Sequence, residues 1–292
     1  MQVAFLGLGR MGAAMAQHVL DAHHDLQVWN RTPAKAVELV AAGAVAAGSP
    51  AEAARGADVV IAMLAHPDAV REVLLGPDGV ADGAARGTLV IDASTIGPQA
   101  AQEIGAELEK RGLRYLDAPV LGSVQPARDG TLAVFAGGSE ADYADAEPLL
   151  RLWGDAAKVR RVGGVGSASA VKLVINLTIG VATAGVGEAL RLACDLGVDR
   201  HVALDALAAG PLGATVATKR TMLEEEEYSP VGFSLDLLDK DLGLVVDAAH
   251  GDLPVTEAVR AVVGEAVTAG HGDDDYAALA GYLAFEGRPN SY

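Results

Sequence analysis

Cysteine is nearly missing from this sequence: Cys194 stands alone among 292 residues. A single thiol excludes an internal disulfide and a zinc site built on cysteines. Positive charge is also scarce. Lysine and arginine number 22 against 39 aspartates and glutamates, a formal net charge of −17. Both halves of the chain are acidic, so neither offers the basic surface that nucleic acid or an anionic membrane requires. Long apolar runs are missing too. The longest uncharged apolar stretch, Leu173 to Gly187, is too short to span a bilayer and contains Asn176, so it reads as a buried core helix. No basic segment precedes an apolar run at Met1–Gly7, which excludes a secretory signal. These absences leave a soluble, acidic, cytoplasmic protein as the expectation.

What is present suits a packed protein. Apolar residues make up 51% and charged residues 21%, outside the range of disordered chains. The length suggests two domains. Through the first half, short apolar runs alternate with helical spacing. Val3–Leu6, Leu26–Trp29, Val59–Leu64 and Leu89–Ile91 read as strands, as do Leu113–Leu116, Leu132–Ala136 and Lys158–Val162. Strand–helix alternation predicts a parallel, doubly wound sheet. After Gly166 the strand candidates stop. Ala168–Leu196 reads as one long helix, and segments 199–208, 214–226, 234–250, 254–269 and 276–284 have helical composition. The fold class is therefore α/β: a doubly wound sheet domain, residues 1–162, followed by an all-helical domain, residues 163–292. The acidic runs Glu224–Glu227 and Asp273–Asp275 read as solvated helix ends or loops. No convincing metal site emerges.

Gly7-Leu8-Gly9-Arg10-Met11-Gly12 is a G-x-G-x-x-G that follows the first strand candidate and opens a helical pattern, the context that makes it a Rossmann-type dinucleotide turn. Gly7 permits the tight turn, Gly9 lets the backbone approach a pyrophosphate, and Gly12 lets the helix pack on the strand. The helix N-terminus offers free N–H groups to the anion. The end of the second strand selects the dinucleotide. An NAD enzyme usually places an acid there, whereas this chain has Asn30-Arg31-Thr32. Asn30 does not repel a 2′-phosphate, Arg31 can bond to it, and Thr32 adds a hydroxyl. NADP(H) is therefore expected over NAD(H), with NAD(H) still open.

Lys172 lies in an apolar helical stretch, and Asn176 follows four residues later on the same helix face. From the residues alone, this lysine reads either as a part-desolvated proton-transfer group or as a side chain that snorkels to water. Backbone N–H groups at Gly122 and Ser123, with the Ser123 hydroxyl, could cradle an anion; Ser123 also reads as a plain turn serine. Met63 and Leu64 end the third strand candidate, where core packing or the cofactor's linker would place them.

Four stretches carry a resemblance to a known family: Gly7–Met15 with Asn30-Arg31-Thr32, Asp92–Pro98, Asp117–Gly130, and Gly163–Asn176 followed by Lys240-Asp241. In order and spacing they resemble the β-hydroxyacid dehydrogenases, which include 3-hydroxyisobutyrate dehydrogenases and the tartronate, glyoxylate and succinic semialdehyde reductases. The resemblance implies a cofactor domain and a helical domain, an active site in the cleft between them, and pairing into a homodimer or homotetramer through the helical domain. It implies NADP(H)-dependent interconversion of a small aldehyde or keto acid and its hydroxyacid. Lys172 falls on the family's catalytic lysine, Thr95 on the residue beside the nicotinamide, and Lys240 on the lysine that closes over the cofactor, with Asp241 as its orienting neighbour. Asn176 would bond the reacting oxygen or hold Lys172. Leu121 departs from the family, which typically has serine there; the loss makes the carboxylate pocket of Leu121, Gly122 and Ser123 more apolar. Ile175 stands where the related 6-phosphogluconate dehydrogenases carry histidine, and Lys172 argues against imine reductase activity. Two other readings stay open: a 3-hydroxyisobutyrate-type dehydrogenase working oxidatively, and a non-catalytic NADP-binding scaffold.

Overall fold

The strand-forming runs of the first half are apolar at consecutive positions because the sheet is covered on both faces. The computed structural model describes residues 1–286. Its strands are β1 (Gln2–Leu6), β2 (Asp25–Trp29), β3 (Val45–Ala46), β4 (Val59–Ala62), β5 (Leu89–Asp92), β6 (Arg114–Asp117), β7 (Val120–Leu121), β8 (Leu132–Gly137) and β9 (Gly154–Gly163). They form one sheet in the order β3-β2-β1-β4-β5-β6-β8-β7, with β9 beside β8. On one face Phe5, Ile61 and Ile91 pack with Met15, Val19, Leu149 and Trp153 of helices Arg10–Asp21 and Glu140–Trp153. On the other, Leu6, Val60 and Val90 pack with Val70, Leu74, Ile104 and Leu108 of helices Pro67–Leu75 and Pro98–Lys110. Burial of each large side chain contributes about 1.5–3 kcal/mol relative to exposure.

The doubly wound expectation is met, with three corrections. The sheet is not wholly parallel: β8 runs antiparallel to β6 and β7. The short strands β3 and β7 were not anticipated, since two residues are too few to show a period. The third predicted strand stops at Ala62, so Met63 and Leu64 lie beyond it. Strand order reverses about β1, which lies between β2 and β4. Such a reversal opens a crevice at the carboxyl ends of the strands.

The chain divides into two compact units, Met1–Lys172 and Leu173–Tyr292. The second contains helices Arg200–Ala208, Gly213–Glu225, Leu235–Ala248, Pro254–Ala266 and Ala278–Gly281. Asp199 starts the first of these by accepting from His201 and Val202 N–H. Leu235, Leu238 and Leu242 meet Val259, Val263 and Leu279 in one cluster; Val186 and Leu190 meet Leu204, Val216 and Leu223 in another. At Gly187 a Cβ would lie 2.9 Å from the Ala280 Cα, so this crossing requires glycine.

Two further expectations need correction. Helix Ser167–Asp195 has 29 residues, and 39% of its most apolar 18-residue stretch is buried. By length and composition alone it is thus apolar enough to cross a membrane, because the helix continues beyond the uncharged run at both ends, and that stretch is less than half buried. The second acidic run is not all solvated: Asp275 is 0% exposed. A backbone bridge to Ser234 draws it inward, and its carboxylate accepts from Gly232 N–H while lying 2.7 Å from the Lys219 Nζ.

Candidate active site

The glycine turn leaves β1 at Gly7, whose φ of +97° favours glycine. A Cβ there would come within 2.2 Å of the Met63 carbonyl oxygen, and one at Gly12 within 2.0 Å of the Gly7 carbonyl oxygen. At Gly9 a Cβ would meet nothing within 4 Å. Gly9 caps helix Arg10–Asp21 without a side-chain bond, and no acid lies in the first turn. Arg10 and Met11 form the helix's first residues. Tight packing below the turn, with space and N–H groups above it, fits a dinucleotide pyrophosphate.

Asn30 braces this turn. Its Oδ1 accepts from Leu8 N–H at 2.8 Å, and its Nδ2 donates to the Thr32 carbonyl at 2.9 Å. An aspartate could make the first bond but not the second, which gives this neutral residue a structural reason. Arg31 and Thr32 are exposed. Among the described residues Arg31 enters no ion pair.

Met63 N–H donates to the Leu6 carbonyl, and Leu64 N–H donates to the Ser94 hydroxyl at 2.9 Å. Ser94 is held in turn by Asp92, whose Oδ1 accepts from Ser94 N–H at 2.9 Å. Asp92 also accepts from the Tyr115 hydroxyl at 3.2 Å. Thr95 is half-buried on this loop. Burial pushes the Asp92 carboxyl up to about 6, against the pull of its hydrogen bonds, and Asp117 adds to the rise. Burial, with both carboxylates nearby, pushes Tyr115 well above its ordinary range.

Beyond β6, Leu121 ends β7 half-buried, and Gly122 turns the chain at φ +133°. A Cβ on Gly122 would meet the Leu132 Cδ2 at 2.6 Å. Ser123 precedes the short helix Val124–Arg128, and its hydroxyl makes no capping bond. His18 Nε2 lies 2.9 Å from the Ala127 carbonyl, which pins this segment to the first helix. Asp117 binds the start of the long helix: Oδ1 accepts from Gly166 N–H, and Oδ2 from Ser169 N–H and hydroxyl, each at 2.8 Å. Burial raises its carboxyl above the ordinary value while these bonds hold it back.

Helix Ser167–Asp195 carries both Lys172, half-buried, and Asn176, 1% exposed. Within the helical unit Asn176 Nδ2 donates to Asp241 Oδ2. Lys240 Nζ lies 2.7 Å from Asp241 Oδ1, with the lysine side chain 16% exposed. Asp241 thus joins Asn176 and Lys240. The Asn176 Oδ1 is buried with no hydrogen-bond partner among the described residues. Val174, within the apolar stretch around Lys172, is 66% exposed.

Sequence reasoning assigned no role to Asp92, Ser94, Asp117 or Ser169. The signal was an acid directly following each of two strand candidates, Leu89–Ile91 and Leu113–Leu116. An ionisable group there requires fixed donors.

Residues 2–164 match a family described as the NAD binding domain of 6-phosphogluconate dehydrogenase, and residues 166–283 match one described as the NAD-binding domain of NADP-dependent 3-hydroxyisobutyrate dehydrogenase. The chain is 35% identical over 286 residues to the 3-sulfolactaldehyde reductase of Escherichia coli, covering 95% of this chain and 94% of that one. It is 31% identical over 280 residues to the chloroplastic glyoxylate/succinic semialdehyde reductase 2 of Arabidopsis thaliana, covering 95% and 78%. The structure of Mycobacterium tuberculosis 3-hydroxyisobutyrate dehydrogenase with L-serine superposes with a TM-score of 0.86 at 32% identity, over 96% of this chain and 98% of that one.

Proposed function

Because the chain belongs to the β-hydroxyacid dehydrogenase family, we propose that this NAD(P)-dependent oxidoreductase works as an NADPH-dependent reductase of small aldehyde acids with Lys172 as its proton donor. The observation that carries the reading is a half-buried lysine near the start of the long helix, one turn before a buried asparagine. We assign residues 1–162 to cofactor binding and 163–292 to substrate binding and pairing.

Gly7, Leu8, Gly9, Arg10, Met11 and Gly12 would hold the pyrophosphate, with Met63, Leu64 and Thr95 along the rest of the cofactor. Arg31, with the Thr32 hydroxyl, would take a 2′-phosphate by charge-assisted bonds. When bound, the reduced nicotinamide supplies hydride to the carbonyl carbon. Lys172 stabilises charge growing on the carbonyl oxygen and transfers a proton to it; in the oxidative direction its neutral amine takes the proton back. Asn176 keeps its Oδ1 as an acceptor because its amide donates to Asp241. Lys240, held by Asp241, would close over the cofactor. Gly122 and Ser123 would receive the substrate's carboxylate, beside an apolar wall at Leu121.

We further propose that copies pair through the helical domain, as a homodimer or homotetramer, in the cytoplasm. Leu192, Leu196 and Val202 are 58%, 70% and 58% exposed, an apolar surface suited to a second copy.

The test follows NADPH and NADH absorbance against glyoxylate, succinic semialdehyde, methylmalonate semialdehyde, tartronate semialdehyde and a cyclic imine. The expected result is turnover of a carboxylated aldehyde, faster with NADPH, and none of the imine. Turnover of the imine alone, or preference for NADH, contradicts the reading.

A further inference from the structure

We propose that Asp117 is a positioning residue for Lys172: from the end of β6, its buried carboxylate caps the first turn of the lysine-bearing helix and fixes how that turn is rotated and seated. The inference rests on the reading of Lys172 as proton donor.

The helix lacks a capping side chain of its own. It begins at Ser167, and the preceding residue is Gly166, at φ +90°. Helix starts leave backbone N–H groups without partners. Here the acceptor comes from a strand far away in sequence. The Asp117 oxygens take Gly166 N–H, Ser169 N–H and the Ser169 hydroxyl. Asp117 and Ser169 are 1% and 2% exposed, so water does not substitute. The approach is close: at Gly137, a Cβ would lie 2.4 Å from Asp117 Oδ1 and 3.0 Å from Ala168 N. Lys172 follows Ser169 by three residues, one turn along the same face. Shifting the anchored turn therefore shifts the base of the lysine side chain.

The chemistry selects a carboxylate. All three partners donate, and an ionised carboxylate only accepts. An asparagine would turn its NH₂ toward at least one of these donors. The rest of the 29-residue helix is held by packing, so losing the cap should loosen the first turn while leaving the fold in place.

The experiment compares Asp117→Asn, Ser169→Ala and Lys172→Ala in the full chain. It measures kcat and KM with NADPH and the aldehyde that the panel above identifies. It also measures Lys172 acetylation by N-acetoxysuccinimide, read by mass spectrometry. For Asp117→Asn, kcat is expected to fall about 10- to 100-fold, with KM for NADPH within about twofold. Lys172 acetylation should rise, because a loosened turn exposes the amine. Ser169→Ala removes one donor and should give a smaller fall in the same direction; it carries the test if Asp117→Asn does not fold. Wild-type kcat and acetylation in Asp117→Asn overturn the inference, as does an unchanged kcat in Ser169→Ala if Asp117→Asn is unfolded. Full turnover in Lys172→Ala overturns the underlying reading instead. The acetylation measurement holds whichever substrate is correct.

Discussion

The two units bury their carboxylates in different company. In the sheet unit Asp92 and Asp117 accept from backbone N–H groups and from the hydroxyls of Tyr115 and Ser169. In the helical unit Asp241 and Asp275 each face a lysine, Lys240 and Lys219, at 2.7 Å. Neutral donors satisfy the oxygens without cancelling the charge, so burial still raises the proton affinity of Asp92 and Asp117. A lysine partner cancels the charge, but its removal strands a buried ion. Lys219 and Lys240 are engaged by neighbouring acids, whereas Arg31 in the sheet unit is exposed and enters no ion pair among the described residues. The sheet unit pairs other cations internally, Arg114 with Asp142 and Asp145 among them, so Arg31 is the feature there that suits a bound anion.

The largest effect should come from breaking a helical-unit pair. Lys219→Ala leaves Asp275, 0% exposed, without its counter-ion, and should cost about 3–5 kcal/mol in urea unfolding. Removing both partners together should cost less than the sum of the single losses. A cost below about 1 kcal/mol would place the pair with ordinary solvated surface bridges.

Asp92 sharpens the other side of the comparison through pH. Its carboxyl is raised from 3.8 to about 6 in the fold, so the native state binds the proton more tightly. The resulting stabilisation is fully present below pH 3.8 and is lost as pH rises through about 6. Between pH 4 and 7 the wild type should lose on the order of 2–3 kcal/mol that Asp92→Asn does not lose. At neutral pH the variant should match or exceed wild-type stability, since its Oδ1 can accept from Ser94 and its Nδ2 can donate to Tyr115. Parallel pH dependences for the two proteins would mean that Asp92 is not protonated over this range.

A smaller effect is expected at this exposed cation. Arg31→Ala should weaken NADPH binding about 10- to 100-fold, the loss of charge-assisted bonds worth roughly 1.5–3 kcal/mol. NADH binding should stay within about twofold of wild type. Equal losses for both cofactors would assign Arg31 to the turn rather than to a 2′-phosphate.

Local signals were legible in advance, and long-range pairings were not. The glycine turn was readable because a strand precedes it and a helix follows, and the structure adds the reason for Asn30: one amide bonds in both directions. The buried strands were readable because two covered faces make continuous apolar runs. β3 and β7 were too short to leave a pattern. Helix Ser167–Asp195 outran the uncharged stretch within it, because a helix can carry polar residues such as Lys172 on one face while continuing on the other. Asp275 looked solvated because its neighbours are acidic; only the fold brings it to Lys219 and the Gly232–Phe233 backbone. Asp117 had no visible partner because Ser169 lies 52 residues away.

Lys172→Ala is the most direct test of the central claim, with aldehyde turnover and NADPH affinity measured on the same preparation. Turnover should fall at least about 100-fold, the usual contribution of a positioned proton donor, while affinity for NADPH remains near wild type. Turnover at the wild-type rate would contradict the account.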